Sequence, residues 1–366
     1  MQTLNQRRTI VHKGDFMKKR IYYFDILRVI AMFMVLLNHT IASNITNSNC
    51  SGGEAILCSI TMVMSRLGVP IFLMLSGALN LKKGNKVCLK TLYTKRIIRL
   101  LVPFVIWSFI YFVLYDIIRD GNMTATGLFS LLFRPGNAGH LWYMYVIIAL
   151  FLVLPVFQAI IDKLEKSQIE YILFVWIISS GILHWMKELE IIHIDFYIDL
   201  HILNGLWGYF LIGWYLTEFD FNLPKKRIII LASLLFMVLS GMLCYQKISM
   251  QTFSDSIVSY SGVPIILLSV CVFMLVKIRG DITIGWVQKS IEYLSKISFC
   301  IYLNQFLARA VASVLIGKIL SQGIWAMLLE FLITTGISVV FATIIYHLPD
   351  NLFGRVIKSS LGIGDK

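Results

Sequence analysis

The chain has 366 residues, of which 58% are hydrophobic and 14% charged, with a mean hydropathy of +0.77. Soluble domains average about 45–50% apolar and about 25% charged residues, so the composition excludes a water-soluble globular protein and points to an all-α, polytopic membrane protein. The formal net charge of +13 invites a nucleic-acid partner, and the placement of the charges removes it.

Residues 1–23 are polar and basic and lack an apolar stretch of signal-peptide type. They are expected as a cytoplasmic tail, with Met17 of MKKRIYYFD as a second possible start. Ten apolar runs follow, at 24–42, 56–81, 97–118, 140–160, 169–186, 200–217, 227–246, 256–276, 297–317 and 324–346. Each approaches the roughly 20 residues that cross a bilayer as a helix. Residues 347–366 are expected as a second cytoplasmic tail, which leaves 24–346 as one membrane domain without an appended soluble unit.

Lys and Arg test this arrangement. With the N-terminus inside, 25 of the 33 lie in the tails and inner connections, five (Arg119, Arg134, Lys187, Lys247, Lys318) lie outside, and Arg28, Arg66 and Arg309 fall within spans. That asymmetry predicts ten spans with both ends cytoplasmic, a multi-pass protein of the inner or plasma membrane. Its basic surface meets anionic lipid and leaves no nucleic acid to invoke.

The first run, FDILRVIAMFMVLLNHT (24–40), keeps Asp25, Arg28 and His39 in a segment that sits in hydrocarbon. Eleven residues of helix turn through roughly 1100°, so Arg28 and His39 stand about 20° apart on one face and about 16 Å apart along the axis. A lone Arg near a helix end snorkels to headgroups; two ionisable groups on one line across the membrane point to function. Arg66, about ten residues in from the outer end of its span, and Glu330, in the outer third of the last span, must also find partners. Glu330 has three candidate roles: pairing with Arg66, pairing with Arg309, or orienting His39. Ser76 and Gly77 suit close helix packing. Of the six cysteines, none forms CxxC, and Cys50 and Cys58 are the pair placed to bridge in an oxidising compartment. His184, His193 and His201 read as loop residues without metal-ligand spacing, so no metal site is expected.

Five segments in order resemble a known family. They are FDILR with Arg-x10-His in the first run, SRLGVPIFLMLSG (65–77), KRIIRLLVPF (95–104), HLWYMYVIIALFLVLPVF (140–157) and ISFCIYLNQF (297–306). Together they are similar to the motifs of the membrane acyltransferase 3 family, the multispan O-acyltransferases of surface polysaccharides. In the last segment Asn304 stands where the family often has His, and Cys300 where it usually has Gly.

The resemblance implies an acyl-CoA donor, usually acetyl-CoA used as co-substrate with no permanently bound cofactor. The implied acceptor is a hydroxyl of a saccharide or glycolipid at the outer surface. Phosphates of CoA call for Arg and Lys at the inner mouth, which makes Arg28, Lys95, Arg96 and Arg99 the donor-binding candidates. His39 is the candidate general base, with Arg28, Arg66 and Glu330 as the other catalytic candidates, Arg66 as donor to the tetrahedral oxyanion. His140, Trp142, Tyr143 and Asn304 are the acceptor-binding candidates. The competing reading is a transporter or flippase of a glycolipid or small solute, for which Arg-x10-His and RxxR together have no evident use.

Overall fold

The computed structural model describes residues 20–42, 53–84, 87–119, 138–191, 205–250, 254–280, 284–316 and 324–363, and among them there are helices and connections but no strand. Hydrocarbon offers the backbone no hydrogen-bonding partner, so each apolar run satisfies its own amides as a helix. The main helices are α1 (Tyr22–Leu37), α2 (Gly53–Ser65), α3 (Gly68–Asn80), α4 (Ile98–Tyr111), α5 (Trp142–Leu152), α6 (Leu154–Lys163), α7 (Lys166–Trp176), α8 (Trp207–Glu218), α9 (Lys225–Met250), α10 (Val263–Arg279), α11 (Gly285–Ile316) and α12 (Ile324–Tyr346), followed by a short α13 (Leu352–Ser360).

Several of these combine into single crossings. Eight stretches are long and apolar enough to span a membrane, among them Gly53–Asn80 (α2 with α3) and Leu89–Tyr115 (around α4). A ninth is the pair α5 and α6, bent by 51° where Pro155 enters the first turn of α6 and interrupts the hydrogen-bond ladder. The expected span 200–217 appears as α8, twelve residues long, and residues 192–204 lie outside the described ones. His184 lies in a helical continuation of α7, Ile177–His184, rather than in a loop, and pairs with Glu188 one turn on. Cys50 is outside the described residues, and Cys58 is buried.

The chain threads back and forth between two ends. At the end where α1 begins, here the N-face, Arg20 meets Glu292, Arg96 meets Asn80, Gly84 meets Asp162 and Lys277 meets the Leu216 carbonyl. At the far face Arg66 meets Asp255, Trp185 meets Ser256 and Arg309 meets Glu330. Within the region expected as a C-terminal tail, α13 is capped by Asn351, whose Oδ1 accepts from the Gly354 amide at 2.7 Å. After α13 the chain turns inward, and Ile363 is buried with Met32, Leu36, Ile297 and Cys300. The outward faces carry exposed Ile230, Met237, Val314 and Ile344, an apolar surface of the kind that lipid covers.

The tightest approach joins α3 to α8. A Cβ on Gly77 would lie 1.7 Å from the Phe210 carbonyl oxygen, and one on Gly213 would lie 1.8 Å from that of Met74. Only hydrogen fits at both sites, because a helix carbonyl cannot step aside. Gly213→Leu is therefore expected to cost more than about 3 kcal/mol, beyond ordinary overpacking. The readout is loss of the monodisperse peak and of the thermal transition in detergent. Gly241→Leu on α9, where nothing lies within 4 Å, is the control and keeps both.

Candidate active site

The N-face half of the site is a charged cluster seated on α1 and α11. Asp25 is 4% exposed in the first turn of α1, where the free amides of a helix start favour a carboxylate. It accepts from Arg20 Nε at 2.5 Å and from Ser295 Oγ at 2.6 Å. One turn on, Arg28 Nη1 donates to the same Ser295 hydroxyl at 2.8 Å and stands 3.6 Å from Asp25. Ser295 thus accepts from the guanidinium and donates to the carboxylate, which holds Arg28 in place without consuming all its donors.

Above this cluster opens a cavity of about 480 Å³, lined among others by Arg20, Arg28, Arg99, Lys296, Ser298 and Phe299. Among the described residues, four cationic side chains and no carboxylate line it. Ser359 and Gly362 close one side. Gly362 has φ +93° there, and a Cβ on it would meet Leu303 at 2.6 Å. The RxxR pair divides its labour: Arg99 faces the cavity, whereas Arg96 donates to Asn80 Oδ1 at 3.3 Å and ties the start of this span to the end of α3. Lys95 is exposed beside them.

The far half is built around His39. Past Leu37 the first span widens into a π turn, Asn38–Ala42, a device frequent at functional sites. Ser65 Oγ donates to Asn38 Oδ1 at 3.2 Å and pins the turn to α2. The His39 ring meets Phe306 edge-on at 5.2 Å and His140 at 6.1 Å between centroids. His140 is 1% exposed; it stacks on Phe306 at 4.1 Å and meets Tyr111 and Tyr302 edge-on. Both Arg66 and Arg309 lie within electrostatic reach of His39.

Those two arginines have separate partners. Arg66 Nη2 contacts Asp255 at 2.5 Å, and its guanidinium lies over Tyr260 at 5.4 Å. Tyr260 in turn packs against Trp142 at 5.7 Å. Arg66 Nε is buried without a hydrogen-bond partner among the described residues. Arg309 Nε takes Glu330 at 2.9 Å, so of the three expected roles for Glu330 the structure displays the pairing with Arg309. Tyr143 packs between Phe72 and Tyr302. Asn304 stands apart from the aromatic group: it is 1% exposed, and its amide donates to the Ser338 carbonyl across the α11–α12 contact.

The two halves are joined by rings on one face of α11. Phe299 at the cavity stacks near-parallel to Tyr302, Tyr302 meets His140, and His140 covers Phe306, which touches His39. Phe299 to Phe306 spans about 10 Å of helix. Arg20, Ser295, Lys296 and Tyr260 join the site without having been singled out in the sequence. The 3–4 spacing of Phe299, Tyr302 and Phe306 was the available signal for the column. No cluster of His, Cys, Asp and Glu suited to a metal occurs among the described residues.

A family model described as an acyltransferase domain matches residues 21–347. No curated protein and no solved structure matches the chain significantly.

The Arg309–Glu330 pair, with side chains 24% and 10% exposed, is costly to break singly. Glu330→Gln leaves a guanidinium at membrane depth and is expected to destabilise by about 3 kcal/mol. The double change Arg309→Met with Glu330→Met restores most of that, read as thermal midpoints in one detergent.

Proposed function

The chain belongs to the acyltransferase 3 family and is a multispan membrane acyltransferase, and from that premise we propose that it moves an acetyl group from acetyl-CoA to a hydroxyl of a surface saccharide or glycolipid precursor. The N-face is the cytoplasmic side in this reading, as the excess of Lys and Arg there requires. One observation carries the proposal. The span that presents Arg28 to a cationic cavity at one end sets His39 against the rings of Phe306 and His140 at the other.

The nucleotide end of acetyl-CoA carries phosphates, and Arg28, Arg99, Arg20 and Lys296 supply donors matched to them. The pantetheine arm then runs outward along α11 toward His39. The acceptor arrives from the opposite face, where the packed rings of Trp142 and Tyr260 supply aromatic surface for a sugar. His39 takes the proton of the attacking hydroxyl. The oxygen forms its bond to the thioester carbonyl, the C–S bond breaks, and the departing thiolate receives that proton. The products are an ester and free CoA, with no change of oxidation state. Arg66, whose Nε–H has no partner among the described residues, is the candidate donor to the oxyanion of the tetrahedral intermediate. The membrane imposes this layout, because a charged nucleotide and a saccharide occupy opposite faces and meet only where a thin, uncharged arm crosses.

Purified protein in nanodiscs with labelled acetyl-CoA and a saccharide acceptor tests the reading by CoA release and label transfer. His39→Ala is expected to lower turnover about 10²–10⁴-fold with the fold intact. Arg99→Ala, which removes a charge-assisted contact, is expected to raise the KM for acetyl-CoA at least about tenfold while kcat changes little. Full transfer by His39→Ala, or a wild-type protein that neither binds nor cleaves acetyl-CoA, refutes the proposal.

A further inference from the structure

His140 has a feature that proton abstraction at His39 leaves unused. Its Nε2 lies 3.4 Å from the Leu303 carbonyl oxygen, which also accepts from Tyr111 Oη at 2.6 Å. A carbonyl accepts only, so Nε2 carries the proton and Nδ1 keeps a lone pair. That Nδ1 is buried and has no hydrogen-bond partner among the described residues. The ring is also held rigidly: Phe306 stacks on one face, Tyr111 meets it edge-on, and Tyr302 Oη donates to the His140 backbone carbonyl at 2.6 Å. A fixed tautomer with an idle acceptor, enclosed in aromatic rings, is built to receive one N–H or O–H from a ligand.

Its depth selects the ligand. Both His140 and His39 contact the Phe306 ring, and His140 also reaches back to Tyr302 and the Leu303 carbonyl, on the cavity side of Phe306. The two imidazole rings lie 6.1 Å apart. In an acyl-CoA the first amide nitrogen behind the thioester is four bonds from the reacting carbonyl carbon, roughly 5 Å in an extended chain. A thioester delivered to His39 therefore brings that amide N–H level with His140. We infer that His140 is a binding residue for the acyl donor, its Nδ1 accepting a hydrogen bond from the cysteamine amide N–H of the pantetheine arm and so fixing how far the thioester advances toward His39. This rests on the acyl-CoA reading and adds to it a determinant of donor position.

The test is binding in nanodiscs, by calorimetry, of two probes: CoA, and adenosine 3′,5′-bisphosphate, which has the phosphates but no arm. His140→Phe keeps the stacking and removes the acceptor. It is expected to weaken CoA about tenfold and to leave the bisphosphate unchanged. His140→Asn, whose Oδ1 falls near the place of Nδ1, is expected to hold CoA within about threefold of wild type, the partial rescue of a neutral hydrogen bond. Wild-type affinity for CoA in His140→Phe overturns the inference, as does CoA binding by His140→Asn as weak as that of His140→Phe. Equal loss of both probes in both variants also overturns it and marks His140 as a packing residue. A wild-type protein that binds neither probe instead refutes the acyl-CoA reading itself, so the two failures are distinguishable.

Discussion

Inside a bilayer a polar side chain has no water to turn to, and each ionisable group in a span is held by another part of the chain. The hydroxyl of Ser295 is where this constraint bears most weight. It lies between Arg28 and Asp25, accepting from one and donating to the other. It thereby couples α1 to α11, the helices that carry Arg28 and the rings Phe299, Tyr302 and Phe306 between the cavity and His39. Arg20 pairs with Asp25 beside that junction, and at the far face Arg309 pairs with Glu330 and Arg66 with Asp255.

Pairing of this kind is a weak source of net stability, since desolvation offsets most of the attraction. What it provides is position. Arg28 keeps donors facing the cavity because Ser295 takes only one of them, and Arg99 joins it from a different span. At the far face, Arg66 ties down the segment carrying Asp255 and Tyr260, and Tyr260 packs against Trp142. The contacts that close the bundle also shape the two mouths of the site.

The line between those mouths is aromatic rather than polar. Phe299, Tyr302, His140 and Phe306 form a continuous set of ring contacts up to His39. The rings in this column are close-packed. Charge at one end, imidazoles at the other and rings between give the line a chemistry that changes along its length, and the proposed acyl-CoA path rests on that order.

The division between sequence and structure follows from the range of the forces involved. Helical class and the apolar spans were legible in the chain, because helix period and hydropathy are local properties. The five motif segments carried the family in the same way. The sequence did not say that Arg99 turns to the cavity while Arg96 clamps Asn80, that Glu330 takes Arg309 while Arg66 takes Asp255, or that Asn304 leaves the aromatic group for Ser338. Nor did it say that the last residues fold back until Gly362 lies against Leu303. Each of these is a choice among partners far apart in the chain, and it is decided by which helices pack together, since a buried charge takes the partner that packing brings within reach.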